Sequence, residues 1–236
     1  GQGHTIRNLY LNRAVDSVAD GRTYYTGLFG EIYKGTVKNL TVDGELIIRA
    51  RMAGGIAGRV YEGTIENCHS YVYIHGDPTN DSVYGYGGIV GNCQSSTVKN
   101  CSNHATVNGL QGYTGGIAGQ VGGTMTIEGC YNEGEVHLRG SSSDEYFLGV
   151  GGIAGKVNNG VTIKNCYNLG KVHCYYRTMA TEQRLGGIVG NIKDLGANET
   201  FTVENCYNLG EITADETSLP VSKLGGIIGR ASATGT

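Results

Sequence analysis

No apolar run in this sequence approaches the ~20 residues that a membrane-spanning helix needs, so direct membrane insertion through a helix is not expected. No segment sustains a helical apolar period flanked by capping residues, which removes helices from the expected architecture. The CxxC zinc pair, the HExxH and GxSxG hydrolase motifs and the Walker phosphate loop are all missing. Aspartates are scattered over variable segments instead of clustering with Arg or Lys along one groove, so an enzyme, a cofactor and a metal centre are not expected. A net charge of -3 gives no reason to expect nucleic acid as a partner. Tryptophan is absent and proline occurs twice, whereas glycine supplies 41 of the 236 residues without the Gly-X-Y period of collagen. The glycines fall at fixed places in a repeat.

That repeat is a short phrase returning seven times: Thr5-Ile6-Arg7-Asn8-Leu9, Thr36-Val37-Lys38-Asn39-Leu40, Thr64-Ile65-Glu66-Asn67-Cys68, Thr97-Val98-Lys99-Asn100-Cys101, Thr126-Ile127-Glu128-Gly129-Cys130, Thr162-Ile163-Lys164-Asn165-Cys166 and Thr202-Val203-Glu204-Asn205-Cys206. Successive pivots at Leu9, Leu40, Cys68, Cys101, Cys130, Cys166 and Cys206 lie 31, 28, 33, 29, 36 and 40 residues apart. A variable period of this size marks a stacked array in which each unit buries its apolar face only against its neighbours. A second phrase alternates with the first, as in Gly55-Ile56-Ala57-Gly58 and Gly187-Ile188-Val189-Gly190, and in six of seven copies another Gly precedes it. Two residues past it lies a small or apolar column: Ile32, Val60, Cys93, Val121, Val157, Ile192 and Ala231. Six residues past the pivot lies another: Val15, Leu46, Ile74, Val107, Val136, Val172 and Ile212. These stretches are short, β-branched and bounded by Gly and Asn, which reads as strand.

The residue before the Asn alternates in sign from Lys38 through Glu66, Lys99, Glu128, Lys164 and Glu204, with a weaker echo at Glu135, Lys171 and Glu211. Opposite charges across neighbouring strands stabilise and like charges do not, so each unit is expected to lie on the previous one in register. The fold class predicted is all-β: residues 1–236 form one continuous parallel β-solenoid of about seven coils without significant helix. At the strand spacing of about 4.8 Å the rod is on the order of 34 Å tall. The chain opens in mid-repeat, which leads us to expect a segment of a longer array, with end coils prone to end-to-end self-association.

Several columns invite a chemical reading. The Asn column (Asn8, Asn39, Asn67, Asn100, Asn165 and Asn205, with Gly129 the exception) suits a left-handed corner with stacked amides. Cys68, Cys101, Cys130, Cys166 and Cys206 interchange with Leu, which predicts inward, reduced thiols, while Cys174 in a variable segment is the candidate reactive thiol. His75, His137 and His173 share one outward column with Asn108, and exposed polar residues are favoured there over a weak metal site.

Recognition is expected where the copies differ. The variable stretches 76–86, 108–114, 138–150, 174–185 and 214–224 all leave the coil at one point and so line one edge of the rod. Their aromatic residues, Tyr84, Tyr86, Tyr113, Tyr146, Phe147, Tyr175 and Tyr176, are the candidate ligand-binding set. A separate column following the pivot holds Tyr10, Thr41, His69, Ser102, Tyr131, Tyr167 and Tyr207; its stacked tyrosines suit sugar rings, a partner protein or plain ring-on-ring packing, the last being favoured.

The Gly-Ile-Ala-Gly and Gly-Ile-Val-Gly phrases, with Cys-Tyr-Asn-x-Gly at Cys130, Cys166 and Cys206, resemble the GLUG-motif repeats of bacterial surface proteins, found also in the N-terminal regions of streptococcal IgA proteases. The resemblance spans nearly the whole chain. It implies a secreted or surface-anchored parent and a non-catalytic stalk or adhesin facing a host glycoprotein or glycan, flanked by adjacent domains of the same chain. An ancillary substrate-binding region of a large secreted protease or glycosidase is the alternative it leaves open.

Overall fold

A computed structural model describes residues 1–13, 24–48, 51–76, 85–110, 112–139, 148–175, 183–195, 200–215 and 222–233. It is a parallel β-solenoid. The strands fall into three sheets of fifteen, seven and seven strands, and no helix occurs among the described residues. Each coil runs through all three. In the third coil the first sheet takes Thr64–Gly76, the second Gly85–Gly87 and the third Val90–Gln94. Both apolar columns read from the sequence stack inward, Leu46 through Ile74, Val107, Val136 and Val172 to Ile212, and Ile32 through Val60, Cys93, Val121 and Val157 to Ile192 and Ala231.

The alternating charges sit in register at Lys38↔Glu66, Glu66↔Lys99, Lys99↔Glu128, Glu128↔Lys164 and Lys164↔Glu204. Lys164 Nζ lies 3.3 Å from Glu128 Oε1, and the echo column pairs Lys171 with Glu211 at 3.0 Å. The corner asparagines Asn39, Asn67, Asn100, Asn165 and Asn205 all adopt left-handed backbone, with φ from 50° at Asn67 and Asn205 to 54° at Asn39 and Asn165, and Gly129 follows at 62°. Asn8 is left-handed too, at 58°, but lies past the corner, within an irregularity of the first coil. Asn67 Nδ2 donates to Asn39 Oδ1 (3.1 Å) and Asn205 Nδ2 to Asn165 Oδ1 (3.3 Å). All seven cysteines are free thiols.

The first coil departs from the expected register. Its phrase pairs further along the next coil than its letters suggest, with Thr5 opposite Thr41 instead of Thr36 and Leu9 opposite Gly44 instead of Leu40, across an irregularity at Arg7 and Asn8. Leu11 therefore heads the column of Leu46, and Val15 lies outside the described residues. Gly44 admits this packing, because a Cβ there would run into the Leu9 carbonyl. Tyr10 accordingly faces Glu45 and does not join the column of Thr41.

A second amide ladder, which the sequence reading missed, links the two phrases. Asn103 Nδ2 donates to Asn132 Oδ1 (2.8 Å), Asn132 to Asn168 (2.8 Å) and Asn168 to Asn208 (2.7 Å), all inside the rod. Each amide also donates to the carbonyl two residues on, such as Asn132 to Gly134 at 2.7 Å. A Cβ on Gly88, Gly116, Gly152 or Gly187 would collide with the Asn103, Asn132, Asn168 or Asn208 side chain. In these four coils the first Gly of the Gly-Ile-x-Gly phrase is thus the space that an asparagine of the other phrase occupies.

Candidate functional site

The edge-loop aromatics separate into three groups. Tyr84, Tyr146, Phe147 and Tyr176 lie outside the described residues. Tyr86 is fully buried, which removes it from the ligand-binding set. It belongs to a strand, Gly85–Gly87, and its register with Ala53 and Thr114 places it in the inward column that continues as Val150 and Leu185. Tyr113 and Tyr175 remain half-buried at the surface. Lys156 Nζ stands 4.9 Å from the Tyr113 ring centroid, and the Arg139 guanidinium 5.5 Å from that of Tyr175.

Cys174 is not an accessible thiol either. It is buried with Val136, Leu138, Val150, Val172 and Leu185, and that burial pushes its pKa up to about 12. A thiol held protonated and enclosed is a poor nucleophile.

The tyrosine and histidine columns lie side by side on the outward face of the first sheet. Tyr131, Tyr167 and Tyr207 stack with centroids 4.9 and 5.1 Å apart and planes within 6°. Their π-faces therefore cover one another, and the ladder presents edges and hydroxyls outward. Burial in this stack raises the Tyr167 phenol, with the neighbouring tyrosines adding to the shift. The aromatic strip continues upward through His104, edge-on to Tyr131 at 5.6 Å, to Tyr71, stacked on His104 at 4.4 Å.

A hydrogen-bonded relay fixes His104. Its Nδ1 lies 2.7 Å from Glu133 Oε2 and its Nε2 2.7 Å from Ser102 Oγ, which in turn meets His69 Nδ1 at 2.7 Å. With His104 neutral and Glu133 ionised, every contact is satisfied when His69 donates to Ser102, Ser102 to His104, and His104 to Glu133. The connectivity is that of a Ser-His-acid triad. Ser102, however, is fully buried, so in this arrangement its hydroxyl has no approach for a substrate and the relay acts as a pin.

The histidine column has the predicted order, His75, Asn108, His137, His173 and then Thr213. His137 and His173 meet at 6.1 Å, edge to face. His137 Nε2 sits 3.0 Å from Glu135, and His173 places Nδ1 2.7 Å from Thr213 Oγ1 and Nε2 3.4 Å from Asp215. Partial burial lowers the His137 pKa, with Glu135 opposing that shift. Among the described residues no three metal-binding side chains converge. Asn108 is buried, donates to His75 Nδ1 at 3.3 Å, and finds no partner for its Oδ1 among the described residues.

Comparison with family models, with curated proteins and with solved structures finds no match to this chain.

Proposed function

We propose that this chain is a non-catalytic solenoid module of a secreted bacterial surface protein of the GLUG-repeat kind, acting as a stalk and adhesin toward a host glycoprotein or glycan. The observation that carries this reading is a division of labour between columns. Residues that recur unchanged are consumed in register, corner and core. Those that vary, among them Tyr71, Tyr73, His104, Tyr175 and Leu209, gather on the outward face of the first sheet and at the margin where the loops depart. Variable residues on one face of a repeat array are where such arrays bind.

A glycan and serum-glycoprotein binding screen tests it, run on the native chain and two double variants. Tyr71→Ala with Tyr73→Ala strips the face, and Tyr113→Ala with Tyr175→Ala strips the loop margin. Loss of a bound partner in either variant, with the circular dichroism spectrum unchanged, supports the reading. A partner that binds both variants as tightly as the native chain sinks it.

A further inference from the structure

The chemistry of the same face says more about what it fits. Its outward positions hold six carboxylates, Asp43, Glu45, Glu133, Glu135, Glu211 and Asp215. Against them stand Arg139 and Lys171. Six against two leaves -4 on this face, in a chain whose net charge is -3. The Lys/Glu column across the Asn corner holds three of each sign and contributes nothing. Among the described residues, negative charge is therefore concentrated on this side of the rod.

Exposed apolar surface is concentrated there too. Of the eleven large hydrophobic residues exposed among the described residues, six are on this face: Tyr10, Tyr71, Tyr73, Leu169, Tyr207 and Leu209. Tyr71 is the best defined. One of its π-faces rests on His104, which Ser102 and Glu133 hold, and the residue is still 47% exposed. In register one coil above stand Asp43 beside Tyr71 and Glu45 beside Tyr73, neither in an ion pair among the described residues. A ring face next to an unpaired carboxylate favours ammonium or guanidinium groups. The register also sets Asn108, with its unpartnered buried Oδ1, between His75 and His137: an acceptor still lacking a donor.

We propose that this face docks a lysine- and arginine-rich segment of a partner protein, the aromatic strip receiving the cationic side chains and the surrounding carboxylates steering them in. The inference rests on the adhesin reading and names the chemistry of the partner at that face. A partner of this kind associates faster and tighter as salt is lowered.

Fluorescence anisotropy of labelled nona-arginine on the full chain, at low and physiological salt, tests the proposal. Asp43→Asn with Glu45→Gln removes two carboxylates that hold no ion pair among the described residues, so folding is spared. Glu31→Gln with Glu62→Gln removes the same charge from the other side of the rod. The expected result is an affinity loss of about fivefold or more for the first variant and under about twofold for the second. Equal losses in both would assign the effect to overall charge and overturn the proposal, as would no binding of nona-arginine at low salt. A chain that ignores nona-arginine yet still binds a glycoprotein through Tyr71 and Tyr73 overturns this inference alone, leaving the adhesin reading in place.

Discussion

At the scale of single residues, the interior amide ladder governs the packing of both phrases. Asn132 makes three bonds inside the rod, to Gly134, to Asn168 and from Asn103. Asn132→Ala would take one interior hydrogen bond from each of the three partners, and a loss of roughly 2–4 kcal/mol in urea unfolding is expected. The ladder stops upward at Ser70, which pairs with Asn103 in register, and Asn103 Oδ1 finds no donor among the described residues. Ser70→Asn supplies that donor, while Gly55 keeps clear the space that Gly88 and Gly116 clear for their own asparagines. The variant is expected to gain about 1 kcal/mol, read as a higher urea midpoint at unchanged slope. A lower midpoint would show that the third coil lacks room for the amide. This ladder was legible only in outline. The repeated Cys-Tyr-Asn-x-Gly stood in plain view, but nothing in it says that the Asn turns inward against a glycine from another phrase. Tyr86 misled for a related reason. Its strand is three residues long, too short to show an alternation, and only pairing with Ala53 and Thr114 decides its direction.

At the scale of the element, strand register was legible where charge marks it. Alternating Lys and Glu admit one stacking, and five successive pairs adopt it. The first coil shows the limit of that reasoning. Its phrase copies the others in pattern, yet pairs several residues late, because Gly44 opens a packing site beside the chain that no phrase encodes. The charge column can be tested by reversal. Glu128→Lys places a third lysine between Lys99 and Lys164, replacing two attractive neighbours with two repulsive ones. At about 0.2–1 kcal/mol per pair and sign, a destabilisation of roughly 1–3 kcal/mol is expected at low salt, much of it recovered at high ionic strength. A loss indifferent to salt would mean that Glu128 acts through packing and that the column does not set the register.

At the scale of the molecule, every coil is bonded only to the coil above and below, so stability accumulates by neighbours instead of through one central core. The buried thiols offer a built-in report on this. Cys68, Cys93, Cys101, Cys130, Cys166 and Cys174 are enclosed, whereas Cys206 in the seventh coil is half-buried. Burial also pushes Cys93 up to about 12, as it does Cys174, so these two thiols stay protonated in the folded rod at neutral pH. In native buffer a disulfide reagent should label Cys206 alone. Rising denaturant should then add Cys166 and Cys174 of the sixth coil before Cys130, Cys101 and Cys68, as coils open in sequence from that side. Mass spectrometry of labelled peptides reads the order. Simultaneous labelling of all seven at a single rate would mean that the rod opens as one cooperative unit, and that the ladders of Asn, Tyr and paired charge couple distant coils more strongly than contact between neighbours alone.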